Sequence, residues 1–259
     1  MNETVIASFE NRIREAAALL QKAANVAAFT GAGISTESGI SDFRSPGGVW
    51  DRHRIVTYQE FTGSAEARRE YWGMKRELHR ELLRAEPNRA HTALAEMEKA
   101  GRLACLITQN IDGLHQKGGV SPERVIEIHG TNLEAECLGC SIRTPIEEIQ
   151  RKLDAGETEV HCDRCGGMVK PATIMFGQPM PEEEMRRAWD CAAECDLLFM
   201  IGSSLQVEPA ASIPRVAGER GASLIFINRT ETPWDHIADI RFTEAAGEVM
   251  ERIVSCLDP

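Results

Sequence analysis

The sequence predicts an α/β protein: a parallel sheet with helices on both faces, and a smaller zinc-bearing and helical domain set into it. Three observations predict this. Short apolar runs alternate with helical stretches along most of the chain. Polar motifs follow five of those runs directly, at the strand ends where parallel sheets bind ligands. Two Cys-x-x-Cys pairs interrupt the alternation.

Taken in order, residues 6–23 carry helical periodicity, and NVAAFT (25–30) is a short apolar strand that runs into GAGISTESG. Residues 41–61 mix Pro, Gly, Trp and charge without a period, which predicts a long loop or short irregular pieces. Residues 64–85 and 89–100 read as helices, the second stopped by Gly101. LACLIT (103–108) and VIEIHG (125–130) read as buried strands, with QNIDGLH and His129 at their ends. LLFMIG (197–202) and SLIFIN (223–228) are two more, and 209–221 and 245–257 read as helices.

The net charge of −11 argues against nucleic-acid binding, which calls for a basic face. It leaves a basic protein tail open as substrate. No apolar run is long enough to span a membrane, and the first residues lack a secretory pattern, so a cytoplasmic protein is expected. Monomer is the expected state.

Cys137, Cys140, Cys162 and Cys165 have zinc-ribbon spacing, with 21 residues between the pairs. Four thiolates close a tetrahedral Zn2+ site, so the ion is expected to be structural. Gly139, Gly166 and Gly167 can supply the turns that let the sulfurs converge. Cys105, Cys191, Cys195 and Cys256 are expected as buried free thiols.

Gly31-Ala32-Gly33 after a strand is where a pyrophosphate would sit, on backbone N–H groups and a following helix N-terminus. Thr36 or Gly39 stands in for the third glycine of the usual fingerprint. Asp51 has the spacing of a ribose-binding acid, but no strand precedes it, so Asn228 is the better candidate.

GAGIST-ESGI-DFR, TQNIDGLHQ-GG, HG, the Cys pairs and GSSL-V-PA, in that order, resemble the sirtuin (Sir2) family of NAD-dependent protein-lysine deacylases, in its bacterial and archaeal form. The resemblance implies a Rossmann-type domain from 1–35, 89–130 and 174–259. It implies a cofactor loop and helical insert at 36–88 and a zinc module at 131–173, with NAD and an acyl-lysine peptide meeting in a cleft. His129 is implied as the base, with Gln109, Asn110 and Asp112 orienting the ribose and carboxamide. Asp42, Phe43 and Arg44 would close over NAD. Gly31, Ala32, Gly33, Thr36, Gly202, Ser203, Ser204, Asn228, Arg229 and Ala246 would hold its phosphates, ribose and adenine. Phe176, Gly177 and Val207 would meet the peptide, beside Val169-Lys170-Pro171.

Two departures stand out from the family pattern. Ser41 replaces a usual proline and is expected to leave the loop freer. Gln178 replaces a common glutamate. Where acidic-acyl sirtuins carry Tyr-x-x-Arg, Tyr71 is followed by Met74, with Lys75 one residue later. A solvated charged helix explains that stretch as well as an acyl contact does, so acetyl is the expected acyl group and succinyl or malonyl the alternative. Mono-ADP-ribosyl transfer is the other alternative.

Overall fold

The computed structural model describes residues 3–43 and 46–257. The first half contains α1 (Glu3–Lys22), β1 (Val26–Thr30), α2 (Val49–Arg52), α3 (Tyr58–Gly63), α4 (Ala65–Arg84), α5 (Arg89–Lys99), β2 (Leu103–Thr108), α6 (Leu114–Lys117) and β3 (Val125–Glu127). Then come β4 (Gly130–Cys137), β5 (Arg143–Pro145), α7 (Ile146–Asp154) and β6 (Val169–Thr173). The chain closes with α8 (Glu182–Glu194), β7 (Leu197–Ile201), α9 (Ile213–Glu219), β8 (Ser223–Ile227), β9 (Ile240–Phe242) and α10 (Ala246–Val254).

Six strands form one sheet in the order β3-β2-β1-β7-β8-β9, every pair parallel. The order of strand addition reverses between β1 and β7, which is the switch point where such sheets bind ligands. Alternate residues explain the two layers. Val26, Ala28, Phe199, Ile225 and Ile227 face a core shared with Leu20, Leu94 and Met250 of α1, α5 and α10. Ala27, Phe29, Leu198, Met200 and Phe226 face Ala188, Ala192, Ile213 and Ala217 of α8 and α9.

Several expectations need correction. The strand at 125–130 ends at Glu127, because the chain must leave the sheet there. Gly130 makes the exit at φ +71, with Ala172 O where a Cβ would sit, 2.1 Å away. The glycine turn leads into a 3-10 turn, Ala32–Ser38, rather than an α-helix. The loop at 41–61 contains α2 and α3, the latter started by a Thr57/Glu60 capping box. The predicted helix at 209–221 is a 3-10 turn (Ala210–Ser212) followed by α9. β9 was not predicted; three residues are too few to show a period.

The thiol expectation also changes. Cys105 on β2 and Cys191 on α8 form a disulfide, since both face the same core layer. Cys195 is buried, but it caps α8 instead of standing within it. Cys256 is exposed.

A second sheet, β5-β4-β6, is antiparallel and carries the cysteines. The four sulfurs lie within 4.8 Å of one another, with Cys137–Cys165 at 3.5 Å and Cys140–Cys162 at 3.8 Å. Tetrahedral Zn–S bonds of about 2.3 Å require sulfurs roughly 3.8 Å apart, so the set fits one zinc ion. Gly139 and Gly167 are needed at the cluster: a Cβ at either would come within 3.0–3.3 Å of a cysteine sulfur. Around the sulfurs pack Trp72, Ala135, Ile146, Ile149, Leu153, Val160 and Val169. Trp72 belongs to α4, so this small core binds α4 to the zinc sheet. Arg68 and Arg69 of α4 add ion pairs with Glu159, and Arg76 pairs with Asp154.

Zinc should therefore be present at one per chain. Chelation is expected to open this core, expose Trp72 and shift its fluorescence to the red, a shift that Trp72→Phe should remove. A zinc-free chain with unchanged emission and unchanged far-UV circular dichroism would refute the structural role.

Candidate functional site

At the switch point, two glycine turns interlock. Gly31 N–H donates to Ile201 O at 3.0 Å, and Gly33 N–H donates to Gly202 O at 2.8 Å. A Cβ on Gly33 would lie 2.7 Å from Gly202 Cα, and one on Gly202 would lie 2.2 Å from Ile34 N. Gly202 also needs φ +66. The glycines thus serve close approach of two backbones. The N–H groups of Gly31 and Gly33 are engaged in this lock, and that of Gly202 donates to Ile227 O at 2.9 Å, so an anion above the turns would be met by neighbouring groups. Ala32, Gly202, Ser203 and Ser204 all line the cleft above it.

That cleft encloses about 890 Å³ and runs from the glycine turns to the α4 helix. It collects the predicted Gly31, Ala32, Gly33, Asp42, Phe43, Gln109, Asn110, His129, Phe176, Gly177, Gly202, Ser203, Ser204, Val207 and Asn228. Ligand-binding ends of five strands therefore converge, as the motif positions implied.

The turn after β2 is held by a set of short hydrogen bonds. Gln109 N–H donates to Thr30 O at 3.0 Å, and its side-chain amide donates to Ser203 Oγ at 2.8 Å. Asn110, buried, donates through Nδ2 to Ser35 Oγ at 3.1 Å. Ser35 in turn donates to Asp112 Oδ2 at 2.7 Å, and Leu114 N–H donates to Asp112 Oδ1 at 2.9 Å. Burial pushes the Asp112 carboxyl up from its ordinary value, and the Leu114 and Ser35 hydrogen bonds oppose that. Ser35 was not a sequence candidate. Its only signal was its place in a hydroxyl-rich loop.

His129 sits in the turn between β3 and β4. Its Nδ1 lies 3.1 Å from Gln109 O. A carbonyl only accepts, so Nδ1 must carry the proton, and in the neutral ring Nε2 is the basic nitrogen. Main-chain bonds fix the turn on both sides: Ile128 N–H to Thr108 O at 3.1 Å and Ile174 N–H to His129 O at 2.9 Å.

The loop from Ser41 closes one side. Val49 N–H and Trp50 N–H donate to Asp42 O and Phe43 O, which folds the loop back on α2. Phe43, Trp50 and Phe176 stack in sequence, with centroids 5.1 and 5.9 Å apart. Arg44 lies outside the described residues. Asp51 accepts from Gly47 N–H at 2.8 Å, a local use far from any ribose role. Ser41 does not leave this loop untethered. Its N–H donates to Glu81 on α4 at 3.2 Å, a bond that proline could not make.

At the far end, Tyr71 and Lys75 are buried, so the solvated-helix alternative for this stretch fails. Both line the cleft with Val56, Met74, Leu78 and Thr173. Lys75 Nζ donates to Asn132 Oδ1 at 3.2 Å and to Thr173 Oγ1 at 3.5 Å. Burial, with the Lys170 charge nearby, holds Lys75 down at about 7. Tyr71, buried beside Thr173, is pushed up to about 12. Val169-Lys170-Pro171 belongs to β6 and is buried throughout, whereas Phe176 is exposed. Gln178 turns back on its own loop, accepting from Met175 N–H at 3.2 Å.

Four candidates lie outside the cleft lining. Thr36 donates to Gly33 O and braces the glycine turn, and Asp112 supports Ser35 as described. Arg229 is exposed. Ala246 packs against the α1/α5/α10 core.

Comparisons with known proteins agree with this geometry. The model of the Sir2 family matches residues 31–209. The NAD-dependent protein deacetylase of Thermodesulfovibrio yellowstonii is 52% identical over 250 residues, covering 96% of this chain and 97% of that protein. The NAD-dependent protein deacetylase of Rhodopseudomonas palustris is 42% identical over 243 residues, covering 94% and 96%. A solved complex of Sir2 with a p53 peptide and NAD+ has a TM-score of 0.86 at 33% identity, covering 94% of this chain and 97% of that one. Sir2Tm bound to a propionylated peptide has a TM-score of 0.85 at 32% identity, covering the same shares. With the fold, the cleft and relatives across nearly its whole length in agreement, this chain belongs to the Sir2 family.

Proposed function

We propose that this protein is an NAD-dependent protein-lysine deacetylase, which moves the acyl group of an acyl-lysine onto ADP-ribose and releases nicotinamide. The observation that carries the reading is the placement of His129, fixed through Nδ1 and facing a cleft floored by the interlocked glycine turns. When bound, NAD supplies the ribose carbon that the acyl oxygen attacks and the hydroxyl that receives the acyl group.

The chain's own residues have separable tasks. His129 Nε2 takes the proton of that hydroxyl. Gln109 and Asn110, held by Ser203 and Ser35, orient the ribose. Asp112 acts through Ser35, to which it is bonded. Gly31, Ala32, Gly33, Thr36, Gly202, Ser203, Ser204, Asn228, Arg229 and Ala246 keep their proposed place along the NAD path. Phe43, with Trp50 and Phe176, forms an aromatic wall that keeps water from the reacting carbon. Phe176, Gly177 and Val207 receive the peptide. The division of labour follows the two sheets: residues 1–35, 89–130 and 174–259 hold NAD, 36–88 close over it, and 131–173 carry the zinc.

The acyl group enters toward Tyr71, Met74, Leu78 and Lys75. With Lys75 held at about 7, this end is largely uncharged above that pH, which supports a neutral acyl group, acetyl first. The net charge of −11 supports a protein partner over nucleic acid or an anionic membrane, and we place the protein in the cytoplasm as a monomer.

Incubation with NAD and a panel of acyl-lysine peptides should release nicotinamide and O-acyl-ADP-ribose, fastest with acetyl-lysine. Faster succinyl removal would reverse the acyl assignment; label transfer to protein without acyl release would favour ADP-ribosylation. His129→Ala should lower kcat by about 10²–10⁴ with NAD binding retained, and near-normal turnover would remove His129 from the base role. Ser41→Pro deletes the bond to Glu81, worth about 1 kcal/mol, and should raise the KM for NAD about fivefold. An unchanged or lower KM would mean that the tether does not order the loop.

A further inference from the structure

Two buried histidines have no task in the reaction just described. His91 on α5 and His115 on α6 are almost completely buried, and their rings lie 4.9 Å apart between centroids. Each ends a line of hydrogen bonds that reaches a different wall of the cleft.

His91 Nδ1 accepts from Asn88 N–H at 3.3 Å. The Asn88 side chain then grips the glycine turn, donating through Nδ2 to Ile34 O at 2.7 Å and Ser38 Oγ at 3.0 Å. His115 Nε2 meets Thr30 Oγ1 at 2.9 Å. Thr30 and Thr108 are register partners at the ends of β1 and β2, and their hydroxyls bond at 2.8 Å. Thr108 Oγ1 accepts from Asn110 N–H at 3.0 Å. The first line holds the turn 31–38 and the second holds the turn 109–112.

The lines end at the two adjacent rings, each with one further nitrogen, His91 Nε2 and His115 Nδ1. Both are buried nitrogens without a hydrogen-bond partner among the described residues. Because His91 Nδ1 accepts from Asn88, its Nε2 already carries the proton of the neutral ring, and a second proton would go to Nδ1 and displace the Asn88 N–H; a second proton on His115 would go to Nδ1, which has no acceptor. Each ring would then carry a charge in an apolar site, and a second charge would sit beside the first. Burial accordingly lowers both, His91 to about 4, and each lacks a compensating carboxylate. The charged groups on neighbouring elements are engaged elsewhere. On α5, Arg89 pairs with Glu251 of α10, and Glu98 accepts from Ser121 N–H. On α6, Lys117 pairs with Glu86. Asp112, before α6, bonds Ser35 and Leu114. β1 and β2 present the Thr30 and Thr108 hydroxyls.

We propose that His91 and His115 are positioning residues that act as one neutral imidazole pair: uncharged, they hold both turns of the NAD cleft in register, and a proton on either releases the turns and weakens NAD binding. This rests on the reading of the cleft as the NAD site. The sign follows from burial. The assembled cleft prefers neutral rings, so its advantage is complete above the ordinary histidine value of 6.5 and is lost as pH falls toward about 4.

The experiment compares NAD affinity by calorimetry at about pH 7.5 and about pH 3.5, with far-UV circular dichroism showing that the protein is folded at both. It uses the intact protein and the double variant His91→Asn, His115→Gln. Asn keeps an acceptor at the δ position for Asn88, Gln keeps a donor for Thr30, and neither titrates. The wild type should lose about fourfold in affinity at the lower pH, and the double variant should bind comparably at the higher pH and change by less than about twofold. His115→Leu, which breaks the line to Thr30, should raise the Kd and KM for NAD more than it lowers kcat. Ring proton signals of His91 and His115 should stay neutral below pH 6 in the NAD-free protein. Identical pH profiles for wild type and double variant would overturn the proposal, as would rings that titrate near 6.5 or a leucine variant that loses kcat alone. A wild type that binds no NAD at the higher pH would instead overturn the reading of the cleft, and this proposal with it.

Discussion

The close approach of two backbones at the β1/β7 switch point is the constraint on which the rest of the structure depends. Gly31 and Gly33 reach across to Ile201 and Gly202, at separations that exclude any Cβ. Parallel pairing of β1 with β7 brings Thr30 level with Ile201, which sets the two turns opposite one another. Pairing of β1 with β2 brings Thr30 level with Thr108 and sets the Gln109 turn beside them. One register therefore determines three walls of the cleft. Side-chain contacts such as Gln109 on Ser203 make use of distances that this pairing sets.

His129 and the cysteines are joined by a single strand. β4 begins at Gly130, immediately after His129, and ends at Cys137, the first of the four clustered cysteines. Gly130 pairs with Thr173 and Cys137 with Val169, so β4 runs alongside four residue steps of β6, about 13 Å, and Cys137 is joined to His129 by one paired strand. α4 completes the link. One of its faces puts Trp72 in the core around the sulfurs, and another puts Tyr71, Met74 and Leu78 against Phe61, Met175 and the Phe43–Trp50 loop. The metal, the loop over the cleft and the acyl end are thus parts of one packed unit.

Much of this was legible in the sequence, for physical reasons. Fully buried parallel strands must be continuous apolar runs, so LLFMI and SLIFI were visible, and ligand motifs at their ends were visible with them. Cysteine spacing encodes a metal site directly. What could not be read depended on partners remote in sequence. That Gly31 and Gly33 use their N–H groups on Ile201 and Gly202 follows from a pairing about 170 residues apart. The tether of Ser41 to Glu81 and the burial of Lys75 depend on where α4 docks, which helical periodicity does not reveal. The Cys105–Cys191 bridge depends on which strand α8 covers. Ser35 looked like one hydroxyl among several until Asn110 and Asp112 were placed around it.

The polar contacts that position the cleft share one property: almost all join uncharged groups. Gln109 meets a serine hydroxyl, Asn110 meets another, His129 meets a carbonyl, and Thr30 meets a threonine and an imidazole. Ion pairs, by contrast, lie mainly on the surface, on long side chains such as Arg54, Arg89 and Arg186. Surface pairs of that kind contribute about 0–1 kcal/mol each and tolerate many geometries. Short neutral side chains at strand ends have few rotamers and inherit the position of the backbone that carries them. They are also costly to leave unbonded once buried, about 1–3 kcal/mol per group, so a displaced turn loses several bonds together. The cleft is consequently held by geometry that fails as a unit. That behaviour keeps His129, Asn110 and the two glycine turns in place together or not at all.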